Sequence, residues 1–138
     1  MAKKKILVIC QHNSARSQMA EGFLNSSYGH RFEASSAGIE PSSLNPYAIR
    51  VMSEIGIDIS NHRSKSIREF LGTNFDYVVT LCDEAKEMCP FFPGGGEYIH
   101  KSFQDPETCQ GSDEDKIVCF RSIRDEIKKW IEETFGKR

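Results

Sequence analysis

The residues of this chain best suited to covalent chemistry lie in the stretch VICQHNSARSQ, Val8 to Gln18. Cys10 ends an apolar run, and Arg16 and Ser17 follow six and seven positions later. A strand that ends in a loop opening a helix is an anion-binding construction. The first helical N–H groups lack intrahelical partners, and the helix dipole favours negative charge there. If the loop curls, the amides of Gln11, His12, Asn13, Ser14, Ala15 and Arg16 converge on one centre. Arg16 adds a planar guanidinium that matches two oxyanion oxygens. Cys10 would lie at the base of this cradle, where a positive field favours the thiolate, the nucleophilic form. Ser17 is placed to donate a hydrogen bond to that sulfur, and Asn13 to brace the loop. The chemistry is nucleophilic attack on a tetrahedral oxyanion. The bare Cys-x5-Arg spacing arises by chance in roughly one chain in three of this composition, and in about one in thirty when serine must follow. The same residues also read as a buried strand cysteine followed by a solvated helix arginine.

Three more residues are of types that can do chemistry: Cys82, Cys89 and Asp105, the last in an Asp-Pro pair with Pro106. Taken singly, each has a plain reading. Cys82 ends an apolar strand, Cys89 reads as a half-buried helix cysteine, and Asp105 as a turn residue before proline. Their placement depends on the elements around them. KKILVIC is continuously apolar, as in a strand buried on both faces of a parallel sheet. From Ser14, Met19, Ala20, Phe23 and Leu24 recur at helical spacing up to Gly29. RFEASSAG predicts a second strand. Asn45 and Pro46 open a helix that Gly56 closes. SKSIREFLG predicts a short helix, FDYVVTLC a third strand, DEAKEMC one or two helical turns stopped by Pro90, and GEYIHKSF a fourth strand. Ile117, Phe120, Ile123, Ile127, Trp130 and Ile131 form one stripe of a terminal amphipathic helix. Strands alternating with helices give an α/β layered sheet. Ligands of such sheets bind beyond the carboxyl ends of the strands. Cys10 and Cys82 each sit at such an end, so topology alone can bring them to one site.

The 138 residues suit one domain, residues 1–138, with a real core. A net charge of −2 gives no broad basic surface, so nucleic acid and anionic membranes are not expected partners. No apolar run approaches a membrane span. The N-terminal MAKKKILVIC lacks the length and cleavage site of a signal peptide, so a cytoplasmic protein is expected. Five cysteines, an odd number, argue against a disulfide framework. Their spacing is unlike that of zinc sites. No metal or cofactor is expected. Cys119 falls beside the apolar stripe and reads as core; Cys109 reads as an exposed, oxidisable loop residue.

The first loop with its following QMAEG, the SSAG strand, VVTLC with the second cysteine Cys89, and FQDP near the end resemble one family over nearly the whole chain. It is the low-molecular-weight tyrosine phosphatase fold, and within it the thioredoxin-coupled arsenate reductases. The resemblance implies a three-layer α/β sandwich around a four-stranded parallel sheet of order 2-1-3-4, acting as a monomer. Two departures stand in the loop, which in the family usually reads C-x-G-N-x-C-R-S. His12 replaces a glycine that often has positive φ, and Ala15 replaces a cysteine.

For either branch the resemblance implies Cys10 as nucleophile, Arg16 as oxyanion ligand, Ser17 as thiolate partner and Asp105 as general acid. The reductase branch adds Cys82 and Cys89. It implies arsenate as substrate, phosphate or sulfate as analogues, and a disulfide passed from Cys10–Cys82 to Cys82–Cys89. Thioredoxin then reduces the last bond; a glutaredoxin-type reductant is the alternative. Were residues 82–89 one helix, the two Cα atoms would be about 10 Å apart. A disulfide needs them within about 7 Å, so the segment must be irregular or must unwind. The phosphatase branch uses only Cys10, Arg16 and Asp105. It usually places aromatics after Asp-Pro, whereas here DPETCQGSDED is polar and acidic. A third reading is a non-enzymatic oxyanion-binding or redox-sensing module. In several family members a potassium ion binds near positions matching Asn13, Glu21, Ser36 and Lys65, the last usually aspartate. Lysine there implies weak or absent potassium dependence.

Overall fold

The computed structural model describes residues 2–83 and 91–138. Four parallel strands, β1 (Lys4–Cys10), β2 (Phe32–Gly38), β3 (Phe75–Thr80) and β4 (Gly95–His100), form one sheet in the order β2-β1-β3-β4. Three helices accompany it: α1 (Arg16–Ser27), α2 (Pro46–Ser53) and α3 (Asp113–Phe135). The expected parallel α/β sheet and its strand order are therefore present. No helix among the described residues is long and apolar enough to cross a membrane.

The apolar run of β1 serves two cores at once. Ile6 and Val8 join the large cluster with Met19, Phe23, Val51, Ile123 and Ile127. Leu7 and Ile9 point the other way, to Ala37, Phe75, Val78 and Phe92. Period-2 alternation thus leaves every one of these residues buried. All three helices contribute to the large cluster. The opposite face is covered more thinly, with Ile67 and Phe70 packed against it. Those two belong to a single 3₁₀ turn, Ile67–Phe70, where SKSIREFLG had predicted a helix. The turn is too short to bury a stripe of its own, and Ser66 caps it.

Local signals fix the helix ends. The Asn45 side chain accepts from Tyr47 N–H, and Pro46 supplies the first helical φ of α2. Ser112 and Asp115 form a reciprocal capping box on α3. The stripe of α3 is buried at Ile117, Phe120, Ile123, Ile127 and Ile131. Trp130 is only partly buried and meets Phe103 edge-on at 6.0 Å.

Beyond the apolar contacts, α2 and α3 are joined through Glu54. It is held by Arg121 at 2.6 Å and Arg124 at 3.0 Å. The Arg121 hydrogen bond is the leading reason that the Glu54 carboxyl falls from 4.5 to about 2. A carboxyl depressed in this way stabilises the fold in full above its ordinary value. That contribution is lost as pH falls toward about 2. Glu54→Gln is therefore expected to flatten the acid limb of the stability curve. Thermal melts of both proteins down to about pH 2 check it; identical slopes would show the clamp contributes nothing.

Candidate active site

The carboxyl ends of β1 and β3 lie side by side where the strand order reverses, the usual position of a ligand site in such sheets. Ile9 pairs with Thr80, and Leu81 N–H donates to the Ile9 carbonyl at 2.9 Å. Cys82 therefore stands one residue beyond the neighbour of Cys10. Cys10 is 2% exposed and Cys82 0%. The Cys10 thiol is free, whereas Cys82 is disulfide-bonded.

From Cys10 the chain curls through residues 11–15 into α1. Four consecutive carbonyls of this loop accept hydrogen bonds from behind. Gln11 O accepts from Glu40 N–H at 2.9 Å, and His12 O from Ser64 Oγ at 2.8 Å. Asn13 O accepts from Gln18 Nε2 at 3.2 Å, and Ser14 O from Asn45 N–H at 3.0 Å. No peptide bond is cis among the described residues, and across a trans peptide C=O and N–H point to opposite sides. Outward carbonyls turn the N–H groups of His12, Asn13, Ser14 and Ala15 toward the hollow of the loop. Ala15 occupies the N-cap of α1 without a side-chain cap bond, and no acidic residue sits in the first turn. The helix terminus is left open to an anion.

The backbone turn needed for this curl falls on Asn13, φ 50°, and not on His12. Asparagine tolerates the left-handed region better than most residues. His12, standing at the family's glycine position, has ordinary φ, and its Nδ1 lies 3.0 Å from the Glu40 carbonyl. The expected conflict at His12 does not arise.

Behind the loop a buried polar network sets the Cys10 sulfur. Asn13 Nδ2 donates to Ser17 Oγ at 2.7 Å, and Ser17 Oγ lies 2.9 Å from Cys10 Sγ. Because Ser17 accepts from Asn13, its own hydrogen is left to be directed at the sulfur. The Asn13 amide cannot flip, since its Oδ1 accepts from Lys65 N–H at 2.8 Å and from Gln18 Nε2 at 3.0 Å. Gln18, fully buried, was not singled out in the sequence. It looks like any polar helix residue until the fold brings Asn13 and Arg63 to it.

The hollow is lined by Cys10, His12, Ser14, Ala15, Arg16, Asn45, Asp105, Pro106 and Glu107. Arg16 is 3% exposed; its Nη1 donates to the Phe103 carbonyl at 3.4 Å, and its Nη2 is 3.9 Å from Asp105 Oδ1. Asp105 both caps a short 3₁₀ turn, Pro106–Thr108, and faces the pocket. Its place in the turn and its place at the pocket coexist. Gln11 points its side chain away, toward Glu40. Asn13 and Ser17 sit behind the wall, and Cys82 lies at the end of the next strand. Cys89, with the predicted helical turns of DEAKEMC, lies outside the described residues.

Gly38 ends β2 directly behind the loop. A Cβ there would meet Asn13 N at 2.8 Å, the His12 carbonyl carbon at 2.9 Å and Gln11 O at 3.0 Å, all backbone atoms. Gly38→Ala must therefore push the cradle, and displacing it should cost on the order of 100-fold in turnover. Activity close to wild type, with an unchanged circular dichroism spectrum, would show that the loop yields without harm.

Lys65 fills the position named for potassium. Its Nζ lies 3.8 Å from Glu21 Oε1, which also accepts from Ser36 Oγ at 2.8 Å, and His62 Nδ1 is 3.1 Å from Glu21 Oε2. An ammonium already sits on the carboxylate, so the set does not fit a cation site. Exchanging sodium for potassium at equal ionic strength is expected to leave turnover unchanged; severalfold activation would contradict this. Among the described residues no group of three or more His, Cys, Asp or Glu is gathered for a metal.

Two cysteines depart from expectation. Cys109 is buried, not exposed, and is disulfide-bonded to half-buried Cys119 across 6.0 Å between Cα atoms. The turn at Pro106–Thr108 folds the chain back onto α3, a meeting that ten residues of separation do not reveal.

Comparison with known proteins agrees with this geometry. The model of the low molecular weight phosphotyrosine protein phosphatase family matches residues 5–137, and the chain belongs to that family. An arsenate reductase of Halalkalibacterium halodurans is 46% identical over 137 residues, covering 99% of this chain and 98% of its own. A structure described as an arsenate reductase in the phosphate binding state superposes with a TM-score of 0.82 at 33% identity, covering 97% and 98% of the two chains. A thioredoxin-dependent arsenate reductase of Corynebacterium glutamicum gives a TM-score of 0.65 at 27% identity, covering 96% of this chain and 63% of its own.

Proposed function

We propose that this protein is an arsenate reductase, with Cys10 as nucleophile and a Cys10, Cys82, Cys89 relay that thioredoxin regenerates. The observation that carries the reading is the state and place of Cys82. It stands at the strand end beside Cys10, is buried, and is oxidised while Cys10 is free. Hydrolysis of a cysteinyl phosphate has no use for such a residue.

The Cys10 thiolate attacks arsenic of arsenate held by the loop amides and the Arg16 guanidinium. Asp105 gives a proton to the departing oxygen, which leaves as water. Cys82 thiolate then attacks the Cys10 sulfur. The S–As bond breaks, its electron pair goes to arsenic, and arsenite departs with arsenic reduced by two electrons. A Cys10–Cys82 disulfide remains. Cys89 attacks Cys82 and returns Cys10 as thiolate. The dithiol of thioredoxin takes up the oxidation in the last exchange. A free Cys10 beside an oxidised Cys82 corresponds to the state just before that last exchange.

The phosphatase reading shares the cradle and accounts for the family. Against it, the described pocket wall contains no Phe, Tyr or Trp to grip an aryl ring, and Glu107 stands at its edge. Arsenate-dependent NADPH oxidation with thioredoxin and its reductase tests the two. Sustained turnover supports the reductase. Fast hydrolysis of phosphotyrosine peptides with no arsenate turnover would overturn it. Slow hydrolysis of simple aryl phosphates is expected in either case, because the cradle serves both. We further infer a cytoplasmic monomer of one domain.

A further inference from the structure

The residue proposed as general acid sits on a loop, residues 104–109, whose hydrogen bonds are mostly local. Thr108 N–H and Oγ1 both reach the Asp105 carbonyl, at 2.9 and 2.7 Å, and Glu107 N–H reaches Asp105 Oδ1 at 3.0 Å. Cys109 N–H donates to the Pro106 carbonyl, and Gln104 Nε2 to Thr108 Oγ1. These bonds shape the turn; its non-covalent ties to the body include the buried Pro106 and two long polar contacts, Gln104 Nε2 to Cys119 Sγ at 3.8 Å and Arg16 Nη2 to Asp105 Oδ1 at 3.9 Å. Gln104, Glu107 and Thr108 are exposed, and so are residues 110–112 beyond. The covalent tie is the Cys109–Cys119 disulfide. Its far end is rigid: Cys119 lies on α3 between Ile117 and Phe120, 4% and 2% exposed, both in the main core.

We propose that the Cys109–Cys119 disulfide is a redox-controlled tether that positions Asp105 over Cys10, distinct from the Cys10, Cys82, Cys89 relay. This rests on Asp105 serving as the acid. When the bond is closed, the turn is fastened four residues after Asp105 to a helix anchored in the main core. When it is open, the turn keeps its local bonds but loses its covalent anchor, Asp105 is held less firmly, and proton transfer slows. Closing the bond removes two electrons and two protons from the thiols; a peroxide is a suitable oxidant, ending as water. Opening it takes two electrons from a dithiol. Cys119 Sγ is the sulfur open to attack, being half-buried where Cys109 is 7% exposed. The reductant that turns over the relay can therefore also set the poise of the loop.

The test uses the full chain, treated with dilute hydrogen peroxide under saturating phosphate to shield Cys10 and then desalted, as wild type, Cys119→Ser, Cys119→Ala and Asp105→Asn. Alkylation and peptide mass spectrometry should find Cys109 and Cys119 joined in the wild type. Hydrogen exchange at Thr108 and Cys109 should be about tenfold faster in both Cys119 variants, with β1 and α1 unchanged as evidence of folding. The acid matters more for a poor leaving group than a good one. The ratio of kcat for 4-nitrophenyl phosphate to that for phenyl phosphate should thus widen about threefold in the Cys119 variants and further in Asp105→Asn, with KM unchanged. Alkylation of both cysteines as free thiols in the treated wild type overturns the proposal. So does wild-type exchange in the Cys119 variants, or a wild-type ratio in them beside a widened ratio in Asp105→Asn. An unchanged ratio in Asp105→Asn removes Asp105 as the acid, and the proposal falls with that reading even if the exchange rates differ.

Discussion

Cys10→Ser is expected to abolish arsenate turnover, by at least about 1000-fold, for two independent reasons. The first is nucleophilicity. A thiolate is accessible near neutral pH and an alkoxide is not, so the attack on arsenic loses its reagent. The second is redox accounting. The two electrons that convert arsenate to arsenite leave through a sulfur–sulfur bond to Cys82, and serine oxygen cannot take Cys10's place in one. Arg16→Lys isolates a different contribution. Arg16 is buried and has its guanidinium between the Phe103 carbonyl and Asp105. Lysine keeps the charge but loses the planar pair of donors, so a fall of about 10²- to 10³-fold is expected, mainly in kcat. Stopped-flow arsenite release from both variants measures these effects. A Cys10→Ser protein that still turned over would remove the cradle from the reaction altogether.

The parts of this site that were legible beforehand are those encoded over a few adjacent residues. The apolar run of β1 predicts a strand buried on both faces, and its alternate residues do enter two different clusters. Asn45-Pro46 announces the start of α2 through capping chemistry that needs no tertiary partner. Cys10, Arg16 and Ser17 share one strand-loop-helix unit, so their convergence is local. What was not legible depends on partners far along the chain. The outward carbonyls that aim the loop amides are held by Glu40, Asn45 and Ser64. None of these stands at a spacing that relates it to Cys10. Gly38 is informative only once β2 lies beside β1 and its missing Cβ becomes the space in which the loop sits. The left-handed residue proved to be Asn13 because the turn forms one step later than the glycine-bearing pattern implies. The odd cysteine count argued against structural disulfides. Yet Cys109–Cys119 forms, since one free thiol at Cys10 is enough to make the total odd.

Cys82→Ser and Cys89→Ser should fail at different steps, and the difference separates a relay from a single disulfide. With Cys82→Ser, Cys10 still attacks arsenate, but no thiol stands at the neighbouring strand end to take its sulfur. Arsenite release is expected to be nil even in a single turnover. With Cys89→Ser, the first two steps proceed and one equivalent of arsenite appears. The protein then stalls as a Cys10–Cys82 disulfide. Burial is the reason that it stalls: Cys10 is 2% exposed and Cys82 0%, so an external dithiol protein has no line of attack on either sulfur. A third cysteine is needed to carry the oxidation to where a partner can reach it. Quenched-flow measurement of arsenite per protein, with alkylation of the remaining thiols, distinguishes zero, one and many equivalents. Sustained cycling of Cys89→Ser with thioredoxin would mean that the buried bond opens to solvent unaided. The demand that residues 82–89 depart from a single helix would then lose its mechanistic purpose.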